Sequence, residues 1–230
     1  MKIMGLQKLT LLDFPGKTAC TVFTAGCNFR CPFCHNASLV THIDRENFVS
    51  EDEFFSFLNK RKGILDGVCI TGGEPTLQPD LTEFIKKIKN AGFAVKLDTN
   101  GYNPNILGSI VNEKLVDYIA MDIKNSKESY RKTVGIENFN IEPIEKSIEI
   151  LKNGGVDFEF RTTVIKELHS GEDIVSIGKW ISNVKNYFLQ SFADSGDLIE
   201  DGLHGYDKNE LENLLNLLKE YIPSAELRGE

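Results

Sequence analysis

The segment Cys27-Asn28-Phe29-Arg30-Cys31-Pro32-Phe33-Cys34 puts three cysteines within eight residues. Thiolates are soft ligands suited to iron–sulfur clusters and zinc. Three of them can hold three irons of a cubane cluster and leave the fourth iron open to a substrate, which points to chemistry at iron beyond electron storage. Other readings stay open. Cys31-Pro32-Phe33-Cys34-His35 matches the short pattern of c-type haem attachment, a chemistry that goes with export. A structural zinc site would draw a fourth ligand from Cys20, Cys69 or His35.

Further along, Thr71-Gly72-Gly73-Glu74-Pro75 joins two glycines to a carboxylate. Paired glycines let a backbone approach a ligand closely, and a carboxylate accepts hydrogen bonds from an ammonium group. Alone, the same residues read as a glycine turn leading to a helix. Leu97-Asp98-Thr99-Asn100-Gly101 and Met121-Asp122-Ile123-Lys124 each set an acid at the end of an apolar run. Their plain reading is a turn at Asn100-Gly101 and a local ion pair between Asp122 and Lys124.

These residues need a scaffold, and the chain alternates short β-rich runs with amphipathic helical stretches, the pattern of a parallel sheet with crossover helices. Strands are predicted at 18–24, 67–71, 94–98, 118–123, 156–164 and 187–190, with 225–228 as a short terminal addition. Eight strands of a closed barrel take about 250 residues. Six units in 230 residues therefore predict an α/β fold, a partial (β/α)6 barrel whose parallel sheet is open on one side, as a single domain over 1–230. The cysteine loop follows the first strand at its C-terminal end, where such sheets place their active sites.

Ser50 with Glu53, and Asp80 with Glu83, predict capping boxes, Pro143 suits a first helical turn, and Leu211, Leu214, Leu215 and Leu218 mark one core-facing helical stripe. On the fifth strand Arg161 shares parity with Asp157, Glu159 and Thr163, which by itself reads as a solvated salt-bridge face. The Asp- and Gly-rich stretch 191–206 reads as a mobile loop over a site. His169, His204 and Gln190 are further polar candidates without a placement.

Composition narrows the classes. The formal net charge of −8 disfavours non-specific binding to nucleic acid or anionic membrane. No run approaches the roughly 20 apolar residues of a membrane span, and the start of the chain does not read as a signal peptide. Five cysteines, three of them clustered, suit a reducing compartment, so a cytoplasmic protein is expected. Five also leave no room for a second four-cysteine cluster.

The spacing Cys27-x3-Cys31-x2-Cys34, with Phe33 before the last cysteine, resembles the signature of the radical S-adenosylmethionine superfamily. The resemblance implies a [4Fe-4S] cluster on Cys27, Cys31 and Cys34, with S-adenosylmethionine chelating the open iron and Phe33 lying against its adenine. The stretch Gly72-Gly73-Glu74 resembles the superfamily's grip on the methionyl amine. Asp98-Thr99-Asn100-Gly101 with Asp122-x-Lys124 resembles the glycyl-radical-enzyme activases, in which Asp98, Thr99 and Asp122 would surround a monovalent cation near the cosubstrate carboxylate, Lys124 would belong to the same polar wall, and a basic residue such as Arg161 would meet the cosubstrate.

The stretch Gly5-Leu6-Gln7-Lys8-Leu9-Thr10-Leu11-Leu12-Asp13-Phe14-Pro15-Gly16-Lys17, followed by Cys34-His35-Asn36, is similar to activating proteins of anaerobic ribonucleoside-triphosphate reductases, a similarity that weakens after Arg161. It implies reductive cleavage of S-adenosylmethionine to a 5'-deoxyadenosyl radical, which takes a hydrogen from a glycine of a partner glycyl radical enzyme. An external flavodoxin or ferredoxin would supply the electron. Residues 13–17 are read either as part of the partner-docking lip or as a simple turn. The alternatives are an activase of a pyruvate formate-lyase-like enzyme, a radical enzyme acting on a small molecule, and a non-catalytic metal-binding module.

Overall fold

A computed structural model describes residues 1–43 and 48–229. The strands and helices in chain order are β1 Ile3–Thr10, β2 Ala19–Thr24, α1 Ala37–Thr41, α2 Glu51–Asn59, β3 Gly67–Gly72, α3 Leu81–Asn90, β4 Ala94–Thr99 and α4 Pro104–Asn112. They continue with β5 Tyr118–Asp122, α5 Lys127–Val134, α6 Glu142–Asn153, β6 Asp157–Val164, α7 Gly171–Ile181, β7 Tyr187–Ser191, α8 Lys208–Lys219 and β8 Glu226–Arg228. The sheet runs β1 to β8 in sequence order. From β2 to β8 every pair is parallel, and each connection carries at least one helix, as parallel crossovers require. No pairing joins β1 to β8 among the described residues, so the barrel is open, as the six-unit reading predicts.

Alternation along the strands sorts the side chains. Val22, Ile70, Leu97, Ile119, Phe160 and Leu189 are fully buried members of the main core. Helix residues such as Phe54, Phe84, Ile110, Ile148, Ile177 and Leu214 complete it; of the predicted stripe, Leu211, Leu214 and Leu218 are buried, and Leu215 is partly buried against the core. The opposite parity lines the barrel and is polar. Cys69 aligns with Lys96, Asp122 with Arg161, and Thr163 with Gln190.

The salt-bridge face of β6 is thus interior, not solvated. Glu159 is 0% exposed, yet it accepts bonds from Arg228 Nη1 at 2.7 Å, Arg228 Nη2 at 3.0 Å and the Tyr118 hydroxyl at 3.0 Å. A buried carboxylate survives only with such partners. The terminal strand β8 therefore serves the barrel by delivering one cation.

Three expectations need correction. The strand β1, antiparallel to β2, is absent from the predicted set; Gln7 and Lys8 interrupt its apolar pattern because that stretch lies exposed. Asp80 forms no side-chain cap on α3, because its carboxylate pairs with the Met1 ammonium at 2.6 Å; the Ser50–Glu53 capping box on α2 does form. Residues 13–17 lie at the N-terminal end of β2, opposite the cysteine loop, so they cannot form a lip around it. There Asp13 accepts a bond from Thr21, and Phe14, 2% exposed, plugs the barrel floor beside Gly67 and the Tyr118 ring.

No helix among the described residues is long and apolar enough to cross a membrane.

Candidate active site at the open end of the barrel

The cysteine loop leaves β2 at Ala25-Gly26 and is held from three sides. From β3, Gly73 N–H donates to Thr24 O at 2.9 Å and Glu74 N–H to Gly26 O at 2.7 Å. From the end of α5, Arg30 N–H donates to Val134 O at 2.9 Å. From beyond β7, Ile199 and Glu200 N–H groups both reach Pro32 O, while Ser38 bonds Asp197. The stretch 191–206 is thus a strap bonded to the cysteine loop, and its Ser191 lines the same cavity.

The paired glycines have a reason the sequence did not show. A Cβ on Gly73 would sit 1.9 Å from Gly26 O, and one on Gly72, whose φ is +111°, would sit 2.3 Å from Thr24 N. Their smallness lets the two loops meet backbone to backbone, rather than making room for a ligand.

A cavity of about 330 Å³ opens above the barrel, and Cys27, Cys31, Cys34, Phe33, Gly72, Gly73, Glu74, Asp98, Thr99, Asp122, Lys124 and Arg161 all line it. Every predicted site residue is therefore brought together. Gln190 joins them, as do Thr71, Asn100 and Thr163. His169 is buried behind the wall, its Nε2 2.8 Å from Lys124 O and its ring edge-on to Phe33. His204 is exposed and paired with Glu167, away from the cavity.

The donor set fits an iron–sulfur cluster held by three thiolates. Cys27, Cys31 and Cys34 are free thiols on one cavity, whereas Cys20 and Cys69 are buried outside its lining. Among the described residues no three His, Cys, Asp or Glu side chains converge closely enough to hold a single metal ion. Burial pushes the Cys27 thiol up to about 11 and the Cys31 thiol up to about 12, so loading metal onto them must displace protons.

One wall is a chain of charges. Lys96 pairs with Asp98 Oδ1, and Arg161 Nη1 lies 3.4 Å from Asp98 Oδ2. Arg161 Nε also lies 2.9 Å from Asp122 Oδ1, and Lys124 Nζ 2.9 Å from Asp122 Oδ2. Three cations thus meet two carboxylates, which leaves this ion-pair network one positive charge in excess, Lys96 supplying it from outside the cavity's lining. Lys96 was missed by sequence reasoning, although its parity with Asp98 on β4 was there to be read.

Burial opposes the charge on Asp122, but Arg161 and Lys124 outweigh it and hold its pKa at about 2. Because this lies below the ordinary 3.8, the carboxylate's contribution to stability is full above about pH 3.8 and is lost as pH falls through about 2. The stability difference between the protein and Asp122→Asn, from urea denaturation, should shrink steadily over that window. A difference constant with pH would refute the ion-pair assignment.

Glu74 stands on another side of the cavity, 1% exposed. Its Oε1 accepts from Thr76 Oγ1 at 2.6 Å and Thr99 Oγ1 at 2.8 Å, and its Oε2 from Asn100 N–H at 2.7 Å. Burial raises its pKa against these bonds. The carboxylate therefore locks the end of β4 to the glycine loop.

Comparison with known proteins finds relatives along most of the chain. The radical SAM superfamily model matches residues 21–180. A Methanocaldococcus jannaschii protein provisionally named as a glycyl-radical enzyme activating enzyme is 32% identical, over 98% of this chain and 95% of its own. The pyruvate formate-lyase-activating enzyme of Clostridium pasteurianum is 29% identical over 80% of this chain and 78% of its own. Among solved structures, Streptococcus suis SuiB bound to S-adenosylmethionine superposes with a TM-score of 0.70 at 15% identity, over 90% of this chain and 48% of that one. Archaeal TYW1 does so with a TM-score of 0.61 at 18% identity, over 89% and 72%. At such identities these two speak for the fold alone.

Proposed function

We propose that this chain, which belongs to the radical SAM superfamily and to the family of glycyl-radical enzyme activating enzymes, activates an anaerobic ribonucleoside-triphosphate reductase by generating its glycyl radical. The observation that carries the reading is the meeting of three thiols, the charged wall and Glu74 on one cavity at the mouth of an open barrel. When bound, a [4Fe-4S] cluster and S-adenosylmethionine supply reductive cleavage and the 5'-deoxyadenosyl radical, which the partner's glycine quenches by giving up a hydrogen.

The chain's own residues bind and orient. Cys27, Cys31 and Cys34 would hold the cluster. Phe33, 4% exposed, offers its ring to the adenine. The surplus positive charge shared by Lys96, Arg161 and Lys124 would receive the methionyl carboxylate. The backbone around Gly72 and Gly73, held by Glu74, would frame the methionyl amine. No step is assigned to a monovalent cation: the carboxylate oxygens of Asp98 and Asp122 already bond Lys96, Arg161 and Lys124, and the Thr99 hydroxyl donates to Glu74.

We take 1–230 as one domain, working in the cytoplasm, with flavodoxin or ferredoxin as the electron donor. The gap between β1 and β8 gives a peptide loop of the partner a side entrance. The relation to the Clostridium pasteurianum enzyme supports a second reading, with a formate-lyase-like partner.

The test is anaerobic incubation of the reconstituted protein, S-adenosylmethionine and a reductant with each partner, followed by electron paramagnetic resonance. A glycine-centred radical on the reductase is expected. A radical on the lyase alone selects the second reading. Cleavage of S-adenosylmethionine with no protein radical on either would turn the assignment toward a small-molecule substrate.

A further inference from the structure

We infer that Asn100 is a positioning residue for the cluster, its side-chain amide donating a hydrogen bond to the sulfur of Cys27 and so setting how readily the bound cluster is reduced. This rests on the reading of Cys27 as a cluster ligand and extends it to a residue outside the cysteine loop.

Asn100 lies just past β4 and is 6% exposed. Three contacts fix it. Its backbone N–H donates to Glu74 Oε2 at 2.7 Å. Its Oδ1 accepts the Tyr102 N–H at 2.9 Å, which decides the end of the amide that is oxygen. Nδ2 must then face the other way, where it lies 2.8 Å from Asn28 Oδ1 and 3.7 Å from Cys27 Sγ. A primary amide carries two hydrogens, one for each of these acceptors.

The same sulfur accepts the Phe29 backbone N–H at 3.3 Å, so Cys27 is met by one donor from its own loop and one from a residue 73 positions away. Reduction adds negative charge to a cluster and its sulfurs, and an N–H dipole aimed at a ligating sulfur stabilises that charge. Hydrogen bonds to sulfur are among the factors that set cluster potentials, and such outer partners also orient the ligands. Buried here, the amide acts in surroundings where water screens it little. Glu74 contributes at one remove by holding the Asn100 backbone.

The test compares two variants in the anaerobically reconstituted holoprotein. Asn100→Asp keeps an oxygen for the Tyr102 N–H but has no hydrogen for sulfur; Asn100→Ala loses both without adding charge. In each, the ratio of reduced to oxidised cluster at a fixed solution potential should fall about tenfold, about 59 mV for a one-electron couple. Iron content should stay at the parent level.

A parent-like ratio in either variant overturns the inference. A direct readout runs in parallel: with asparagine side-chain amides labelled with ¹⁵N, pulsed paramagnetic resonance of the reduced parent should show a nitrogen coupling that Asn100→Asp lacks. Absence of that coupling in the parent also overturns the inference. If the parent assembles no cluster, the ligand assignment of Cys27 falls with it; if the cluster assembles and neither readout moves, only the role of Asn100 falls.

Discussion

Replacing Cys31 by alanine is expected to abolish cluster loading and reduce cleavage of S-adenosylmethionine to background. Cys31 is 7% exposed and supplies one of the three thiols on the cavity, and the two remaining cysteines, Cys20 and Cys69, are buried outside its lining. Loss of a small buried thiol costs on the order of 1 kcal/mol, so the fold should persist. Iron and sulfide content and the visible chromophore measure loading, and methionine release measures cleavage. Cleavage surviving in Cys31→Ala, in protein that melts cooperatively, would take Cys31 out of the ligand set.

Gly73→Ala should be nearly as damaging, although Gly73 contributes no thiol to the cluster. The added Cβ would meet a backbone carbonyl, Gly26 O, at 1.9 Å, and no side chain is available to move aside. One of the two loops must retreat, which breaks the bond from Glu74 N–H to Gly26 O and shifts the cysteine loop. Overpacking of this kind costs roughly 1–3 kcal/mol, and more where backbone alone must yield. Cluster content should collapse together with stability. Gly108→Ala is the control, since that glycine lies in helix α4 with its nearest neighbour, Ile150 Cδ1, at 3.4 Å; alanine there should be neutral or stabilising by about 1 kcal/mol. Parent-like iron content in Gly73→Ala would show that the two loops do not depend on this contact.

Much of the scaffold was legible because local rules fixed it. The Ser50–Glu53 box starts α2, and the alternation of Phe158, Glu159, Phe160 and Arg161 marks a strand whose two faces differ. Asp80 shows where locality fails: the same residue pattern as at Ser50 was overruled by the Met1 ammonium, a partner 79 positions away. β1 carries little period-2 contrast in the sequence because Gln7, Lys8 and Leu9 are all exposed.

The site divides along the same line. Parity says that Lys96 and Asp98, or Glu159 and Arg161, share a face, but it is silent on whether that face meets water or the inside of a barrel. The sequence by itself determined the cysteine trio, because spacings of four and three residues in one loop keep three sulfurs near one another whatever the rest of the chain does. Only the tertiary structure decided which charges meet, because strand register across a curved sheet sets Arg161 against both Asp98 and Asp122, 63 and 39 residues away. It also decided that the floor loop at 13–17 lies at the far end from the cysteines, since an antiparallel first strand reverses the direction in which the chain enters the barrel.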